Sequence, residues 1–404
     1  MTNVVLDVAA WRPATRDEFK AMLDKRRGQT SAPRKKRAKP TGSSLAVRTH
    51  LTTLDMYSYL KAKFGPPNGL QSMMRSDDSD NIFHWDWNLK AGDTDVYILG
   101  MSRETHFQIG AVLTDHDWKS LIIAIKQDFG RIGRDKSEAS KSLEKWLVFP
   151  NKYVAISNLC EDKHDRITDQ MGKFAEFAPA SRRAINKKGL KNAQDASKRA
   201  SSLTGDILEL RILTPILVEA FLNMMILILC KPEVRQDKRQ YQAFIRSEID
   251  IKVSDLFYKC RAFQVAPNSA HPEFVAFHKV MQKRNYEIHG NIDPDRDTFE
   301  TVYFDGTIPT YPVPGDHIST FYANLERQYD PISAVADYEA VHLFIAYLID
   351  CLEPQYQEQF RLLVDDPYPG WNEVKQTTGV LFPGRTVSAY FKTRFDDELK
   401  VDWS

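Results

Sequence analysis

The sequence predicts an α+β domain followed by a mainly α-helical bundle domain. Short strand-like runs of alternating character interrupt helical spacing between residues 46 and 158, whereas from Thr204 onward apolar residues recur at three- and four-residue intervals. A length of 404 residues accommodates two domains. The 42% apolar and 27% charged shares are ordinary for a soluble globular chain.

Residues 1–45 read as a flexible basic segment. A short amphipathic helix is expected around Arg16–Leu23, followed by Lys25-Arg26-Arg27 and Arg34-Lys35-Lys36-Arg37-Ala38-Lys39-Pro40. Such a run is usually a solvated connector, and its sharper reading is an arm for RNA phosphates or an acidic partner. Residues 46–158 read as a small α+β domain. A helix at Leu54–Lys63 stops at Gly65-Pro66-Pro67, and three strands at Asn81–Leu89, Asp95–Met101 and His106–Leu113 form an antiparallel meander. Phe83, Trp85, Trp87, Tyr97 and Phe107 alternate with polar residues, as core aromatics do. Helices at Asp115–Phe129 and Ser137–Leu147 and a strand at Tyr153–Ser157 complete the domain.

Residues 159–203 read as a basic helical connector with Arg182-Arg183, Lys187-Lys188 and Lys198-Arg199. The bundle spans residues 204–366. Its first helix is capped by Thr204 or Asp206 and reaches Cys230, a second helix or helix pair covers Glu233–Phe263, and a third covers Pro272–Ile288. Phe299–Pro312 has β-like alternation around Asp305-Gly306, and Ile332–Leu352 is a strongly apolar last helix. Residues 367–404, with Pro369-Gly370 and Pro383-Gly384, read as an extended tail.

Composition narrows the function. The net charge of +1 leaves nucleic-acid affinity to local clusters. The four cysteines, Cys160, Cys230, Cys260 and Cys351, form no Cys-x-x-Cys pair, which argues against zinc and against a secreted disulfide scaffold. A cytoplasmic location fits, and the first residues lack a secretory pattern. Ile212–Cys230 is long enough to span a membrane, but Glu219 and Asn223 near its middle favour a buried bundle helix. His84, His106 and His116 match no metal spacing, and Asp77-Asp78 with Asp80, and Asp293 with Asp295 and Asp297, resemble acidic turns. No phosphate loop, Gly-x-Ser-x-Gly elbow or kinase signature is present, and no cofactor or metal is expected.

The most informative stretch is Lys283-Arg284-Asn285-Tyr286-Glu287-Ile288-His289-Gly290. Asn285 and His289 are four apart and share a helix face. Arg284 and His289 are five apart, about 140° around the axis, and converge only if the helix frays or the arginine reaches across. The chemistry suits RNA cleavage, because RNA carries its own nucleophile in the 2′-hydroxyl. Histidine moves protons near neutrality, arginine presents a fixed fork to phosphate oxygens, and asparagine orients the histidine or binds phosphate.

Arg-Asn-x-x-x-His-Gly at the end of a bundle helix resembles the signature of the HEPN superfamily, helical domains that include metal-independent endoribonucleases. Glu219-x-x-x-Asn223 on the first bundle helix is similar to a pattern often found there. The resemblance covers about residues 204–355. It implies catalytic roles for Arg284 and His289, a supporting one for Asn285 and a weaker positioning one for Glu219. It also implies a homodimer that assembles two clusters in one cleft, and a role as a toxin or antiphage effector with a regulatory or antitoxin-like partner. Position 291 is Asn, not the tyrosine of the branch that works with a nucleotidyltransferase. The alternative is a catalytically silent HEPN-like dimerisation or regulatory protein, and a further one is an RNA-binding module acting through the basic segments.

Overall fold

Alternating residues along consecutive short runs build the sheet near the N-terminus. The computed structural model describes residues 4–31, 42–74, 83–173, 187–290, 292–298, 300–315, 317–382 and 394–403. Arg34–Pro40, Asp77–Asp80, Arg182-Arg183, Asn291 and Pro383-Gly384 lie outside the described residues. Strands β1 (Arg12–Pro13), β2 (Ser43–Val47), β3 (Trp85–Ala91), β4 (Thr94–Gly100) and β5 (Thr105–Ile109) form a five-stranded antiparallel sheet in the order β1-β3-β4-β5-β2. The meander β3-β4-β5 is the one the sequence predicts. Gly92, at φ 59°, supplies the left-handed residue of the two-residue turn between β3 and β4.

The chain divides into two units, Met1–Lys145 with Phe382–Ser404, and Trp146–Leu381. In the first, one sheet face (Trp85, Trp87, Leu89, Val96, Ile98, Phe107, Ile109) packs with Met56, Tyr59 and Leu60 of α2 (Thr53–Phe64) and Trp118, Leu121, Ile122 and Ile125 of α4 (Asp115–Arg131). Trp85, Trp87 and Phe107 are thus core residues. Tyr97 faces the other side, where its hydroxyl donates to the fully buried Asp86. Asp86 also accepts from Gln71 N–H, Ser72 N–H and Ser72 Oγ at the start of the short helix α3 (Leu70–Met74). The N-terminal stretch contributes α1 (Arg16–Ser31), and Val5, Val8 and Trp11 are buried in the same core. The segment read as flexible therefore begins as part of the fold.

Two carboxylates fasten this unit. Asp128 accepts from Arg131 Nε at 2.5 Å, Lys63 Nζ at 2.6 Å and Tyr59 hydroxyl at 2.7 Å. Burial pushes its pKa up, but these three donors outweigh burial and hold it at about 2. The second carboxylate is Asp396, on a short turn at Asp396–Glu398. It is fully buried and accepts from the backbone N–H groups of Arg48, Thr49 and His50, from Thr49 Oγ1 and from His50 Nδ1. Burial raises the Asp396 pKa, and the hydrogen bonds overcome it and leave a net depression. Arg394 adds a bidentate pair with Asp115 at 2.6 and 2.7 Å. The tail read as a single extended element thus divides, its distal part returning to the first unit.

Two local expectations shift. The helix expected at Ser137–Leu147 is α5 (Gly133–Lys141), and Leu147–Val148 is strand β6 of the second unit. Tyr153–Ser157, expected as a strand, lies inside α6 (Lys152–Gln170). The Asn151 side chain caps α6 by accepting from Tyr153 and Val154 N–H, and Tyr153, Cys160 and Ile167 bury one side at helical spacing.

The second unit is mainly helical. Its centre is α7 (Lys187–Leu229), 43 residues in one helix that includes the end of the predicted connector. Around it pack α6, α10 (Ile249–Lys259), α11 (Pro272–Ile288), α13 (His317–Tyr329), α14 (Pro331–Asp350) and α15 (Pro354–Val364). Short helices α8 (Pro232–Gln236), α9 (Lys238–Arg246) and α12 (Pro294–Asp297) complete the helical set among the described residues. The hairpin β7 (Tyr303–Asp305) and β8 (Ile308–Thr310) turns at Gly306, as the Asp-Gly pair predicts. Strands β9 (Gly370–Asn372) and β10 (Thr377–Gly379) form a small sheet with β6.

Gln194–Leu229 and Ser319–Asp350 are long and apolar enough to cross a membrane by length and composition. In α7 that apolar surface is taken up inside the unit, where Leu217, Val218, Phe221, Leu222, Met225 and Ile226 are buried.

Asp128→Asn leaves Lys63 buried without its counter-charge and should cost about 3 kcal/mol in chemical denaturation. Both anchoring carboxylates stabilise the fold above the unfolded-state pKa of about 4. That contribution is lost as pH falls through the folded-state value, about 2 for Asp128. Near-ultraviolet circular dichroism should show the tryptophan-rich first unit losing its packing between about pH 4 and pH 2. Asp128→Asn should flatten that acid limb.

Candidate active site

Helix α11 carries the Arg-Asn-x-x-x-His stretch, and its register comes from the core. Phe274, Phe277 and Val280 are buried, and Phe277 stacks on Phe344 of α14 at 4.7 Å with a 5° interplanar angle. With that side fixed inward, Asn285 and His289 face solvent. His289 is the C-cap, its N–H donating to Asn285 O, and Gly290 follows at φ 58°. A left-handed glycine after the cap is the usual way to stop a helix, so the end predicted at Gly290 is the observed one.

Arg284 turns toward α7. Its Nη2 donates to Glu219 Oε1 at 3.3 Å, while its Nε is buried with no hydrogen-bond partner. The fold thereby joins Arg284 to Glu219 and places Asn285 one turn from His289. It does not join Arg284 to His289 within one chain, because the five-residue separation points them apart. Neither Asn285 nor His289 has a side-chain hydrogen bond among the described residues.

Asn223, one turn along α7 from Glu219, accepts from Lys252 Nζ of α10 at 3.1 Å. Lys252 is only 5% exposed. Burial lowers its pKa, and the charge of Glu219 opposes that shift. Sequence reasoning missed this lysine, although a signal was present. Ile249, Val253 and Leu256 define the inward side of α10, and position 252 falls among them.

The other side of α11 is pinned by ion pairs. Lys283 Nζ reaches Asp337 of α14 at 2.7 Å and Ser333 Oγ at 2.8 Å. Arg211 of α7 reaches Glu287 at 3.2 Å and Asp330 O at 3.1 Å. Lys283, Ser333, Arg211, Glu287 and Asp330 border a polar cleft of about 710 Å³ that also includes Arg327 and Asp297. Along the outward side runs His278, Gln282, Asn285 and His289, with His278 Nε2 3.2 Å from Asp250 Oδ2. The spacing of four, three and four keeps this polar stripe on one face. A second cavity, about 390 Å³ and largely apolar, opens beside Glu219 and Asn223 between α7, α9 and the start of α6.

Two of the first unit's three candidate histidines are separately engaged, and the third, His116, is exposed on α4. His84 Nε2 lies 3.1 Å from Ser102 Oγ, and His106 Nε2 lies 3.0 Å from Glu104 Oε2. Among the described residues, no three His, Cys, Asp or Glu side chains gather in a metal-holding group.

Comparison with family models finds no match to this chain, and comparisons with curated proteins and with solved structures find none either.

Lys252→Met replaces a buried ammonium by an apolar chain of similar length and leaves Asn223 open to solvent. Its stability in urea should stay within about 1 kcal/mol of the parent. A loss above about 3 kcal/mol would show that the ammonium satisfies a buried polar partner.

Proposed function

We propose that this chain is a metal-independent endoribonuclease of HEPN type, acting in the cytoplasm as a toxin or antiphage effector. The Arg284–Glu219 ion pair carries the reading. It brings the two stretches that resemble the family, 65 residues apart in sequence, to one place between α7 and α11.

In this reading His289, exposed and unencumbered, takes the proton from the RNA 2′-hydroxyl or returns one to the departing 5′-oxygen. The 2′-oxygen attacks the adjacent phosphorus, the P–O5′ bond breaks, and the products are a 2′,3′-cyclic phosphate and a 5′-hydroxyl. Arg284 stabilises the extra negative charge on the phosphorane-like transition state, with its guanidinium oriented by Glu219. Asn285 supports the phosphate or the imidazole. Because Arg284 and His289 diverge on one helix, the working site is composite. Two copies facing across a two-fold axis place the arginine of one opposite the histidine of the other.

A second reading, a catalytically silent dimerisation or regulatory protein, is favoured by one observation. Ile251 of α10 and Val275 and Ile288 of α11 are exposed beside the polar stripe of α11, and an apolar fringe of this kind suits a contact between copies.

Incubating the full chain with RNA in chelator should yield fragments ending in 2′,3′-cyclic phosphate. His289→Ala should lower the rate by about 10²–10⁴-fold, and Arg284→Ala by about 10²–10³-fold. Equal cleavage by all three proteins would overturn the assignment. Undiminished biological activity of His289→Ala would favour the silent reading.

A further inference from the structure

Where α7 and α10 end, the chain makes a single antiparallel bridge with Cys230 opposite Cys260. Lys231 N–H donates to Lys259 O at 2.9 Å, and Arg261 N–H donates to Leu229 O at 2.8 Å. These bonds flank the cysteines instead of joining them, which defines the non-hydrogen-bonded kind of pair. In such pairs the Cα atoms sit about 4.5 Å apart and the side chains approach most closely. A disulfide requires Cα atoms about 4.4–6.8 Å apart, so this backbone spacing already meets the requirement. Both thiols are free and buried.

A second, independent observation lies beside them. Arg235 on α8 is 9% exposed and lies over the Trp371 ring at 4.7 Å. Its Nη2 donates to Leu227 O at 2.6 Å, but its Nε and Nη1 are buried without partners. Two orphaned donors on a buried cation call for an anion, and Cys230 is the ionisable group at hand. Burial pushes the Cys230 thiol up, and the positive charge of Arg235 opposes it. Burial also pushes Cys260 up.

We propose that Cys230 and Cys260 are an oxidant-responsive thiol pair that closes to an intramolecular disulfide joining the ends of α7 and α10. The oxidant is a peroxide. The Cys230 thiolate, held by Arg235, attacks one peroxide oxygen, the O–O bond breaks, and Cys230 becomes a sulfenic acid as hydroxide leaves. The Cys260 sulfur then attacks the Cys230 sulfur and expels the hydroxyl group as water. In sum two thiols and one hydrogen peroxide give one disulfide and two waters. Burial keeps the thiolate scarce, so the reaction is slow and waits on local opening at the helix ends. The closed loop contains α8, α9 and α10, so the bond also ties the helix carrying Lys252 to the helix carrying Glu219 and Asn223.

The test treats the folded full chain with hydrogen peroxide, then denatures it and alkylates with N-ethylmaleimide. Of the four cysteines, two should lose reactivity, and peptide mapping should link Cys230 to Cys260. The melting temperature should rise by roughly 5–10 °C and return with dithiothreitol. Cys260→Ser should give no cross-link and should accumulate a dimedone adduct at Cys230. Arg235→Lys, which keeps the charge but loses the fork, should slow cross-linking about tenfold. Four alkylated thiols after peroxide would overturn the proposal, as would a link to Cys160 or Cys351, or Cys260→Ser without an adduct at Cys230. None of these readouts depends on RNA cleavage.

Discussion

Removing the apolar length of α7 from water is the constraint on which the second unit depends. Leu210, Leu217, Phe221, Met225 and Ile228 are buried along it, and six other helices take their places against it. The Phe277–Phe344 stack then fixes α11 on α14, and ion pairs at Lys283 and Arg211 fix its rotation. Only with that rotation set does Arg284 meet Glu219 while Asn285 and His289 face outward. The chemistry proposed for the site is therefore a by-product of packing. At about 25 cal/mol per Å² of apolar surface, a helix of this length contributes far more to the register than any one of its exposed ion pairs.

Much of the architecture was legible because hydrophobic periodicity is local. Trp85, Trp87 and Phe107 alternate with polar neighbours and form one sheet face, and Gly290 stops α11 where glycine was expected to stop it. The start of α7 was harder to read. Its buried residues there are Ala196, Ala200 and Leu203, and the two alanines give little contrast against a charged background, so the segment resembled a connector. The strand expected at Tyr153–Ser157 failed for a related reason. β-Branched and aromatic residues there favour a strand locally, but the Asn151 cap and the burial of Tyr153, Cys160 and Ile167 favour a helix.

The candidate site was legible in part. The four-residue spacing placed Asn285 and His289 on one face without any structure. Arg284 and Glu219 were linked in advance only through resemblance, since spacing says nothing about residues 65 apart. Lys252 was overlooked because a lysine in a charged helix is ordinarily solvent-facing, although its apolar neighbours indicated otherwise. The docking of residues 394–403 was invisible to hydropathy, because its anchor is a carboxylate filled by backbone N–H donors.

That anchor has a consequence for the order in which the chain can fold. The second unit is an insertion, made between two stretches of the first. During synthesis residues 146–381 emerge and can pack before Asp396 exists to seat on Arg48, Thr49 and His50. The first unit begins earlier but waits until later for its last fastening. Until then its Thr49–His50 corner has unmatched donors, a state in which holding factors or proteases on the growing chain would find it most accessible.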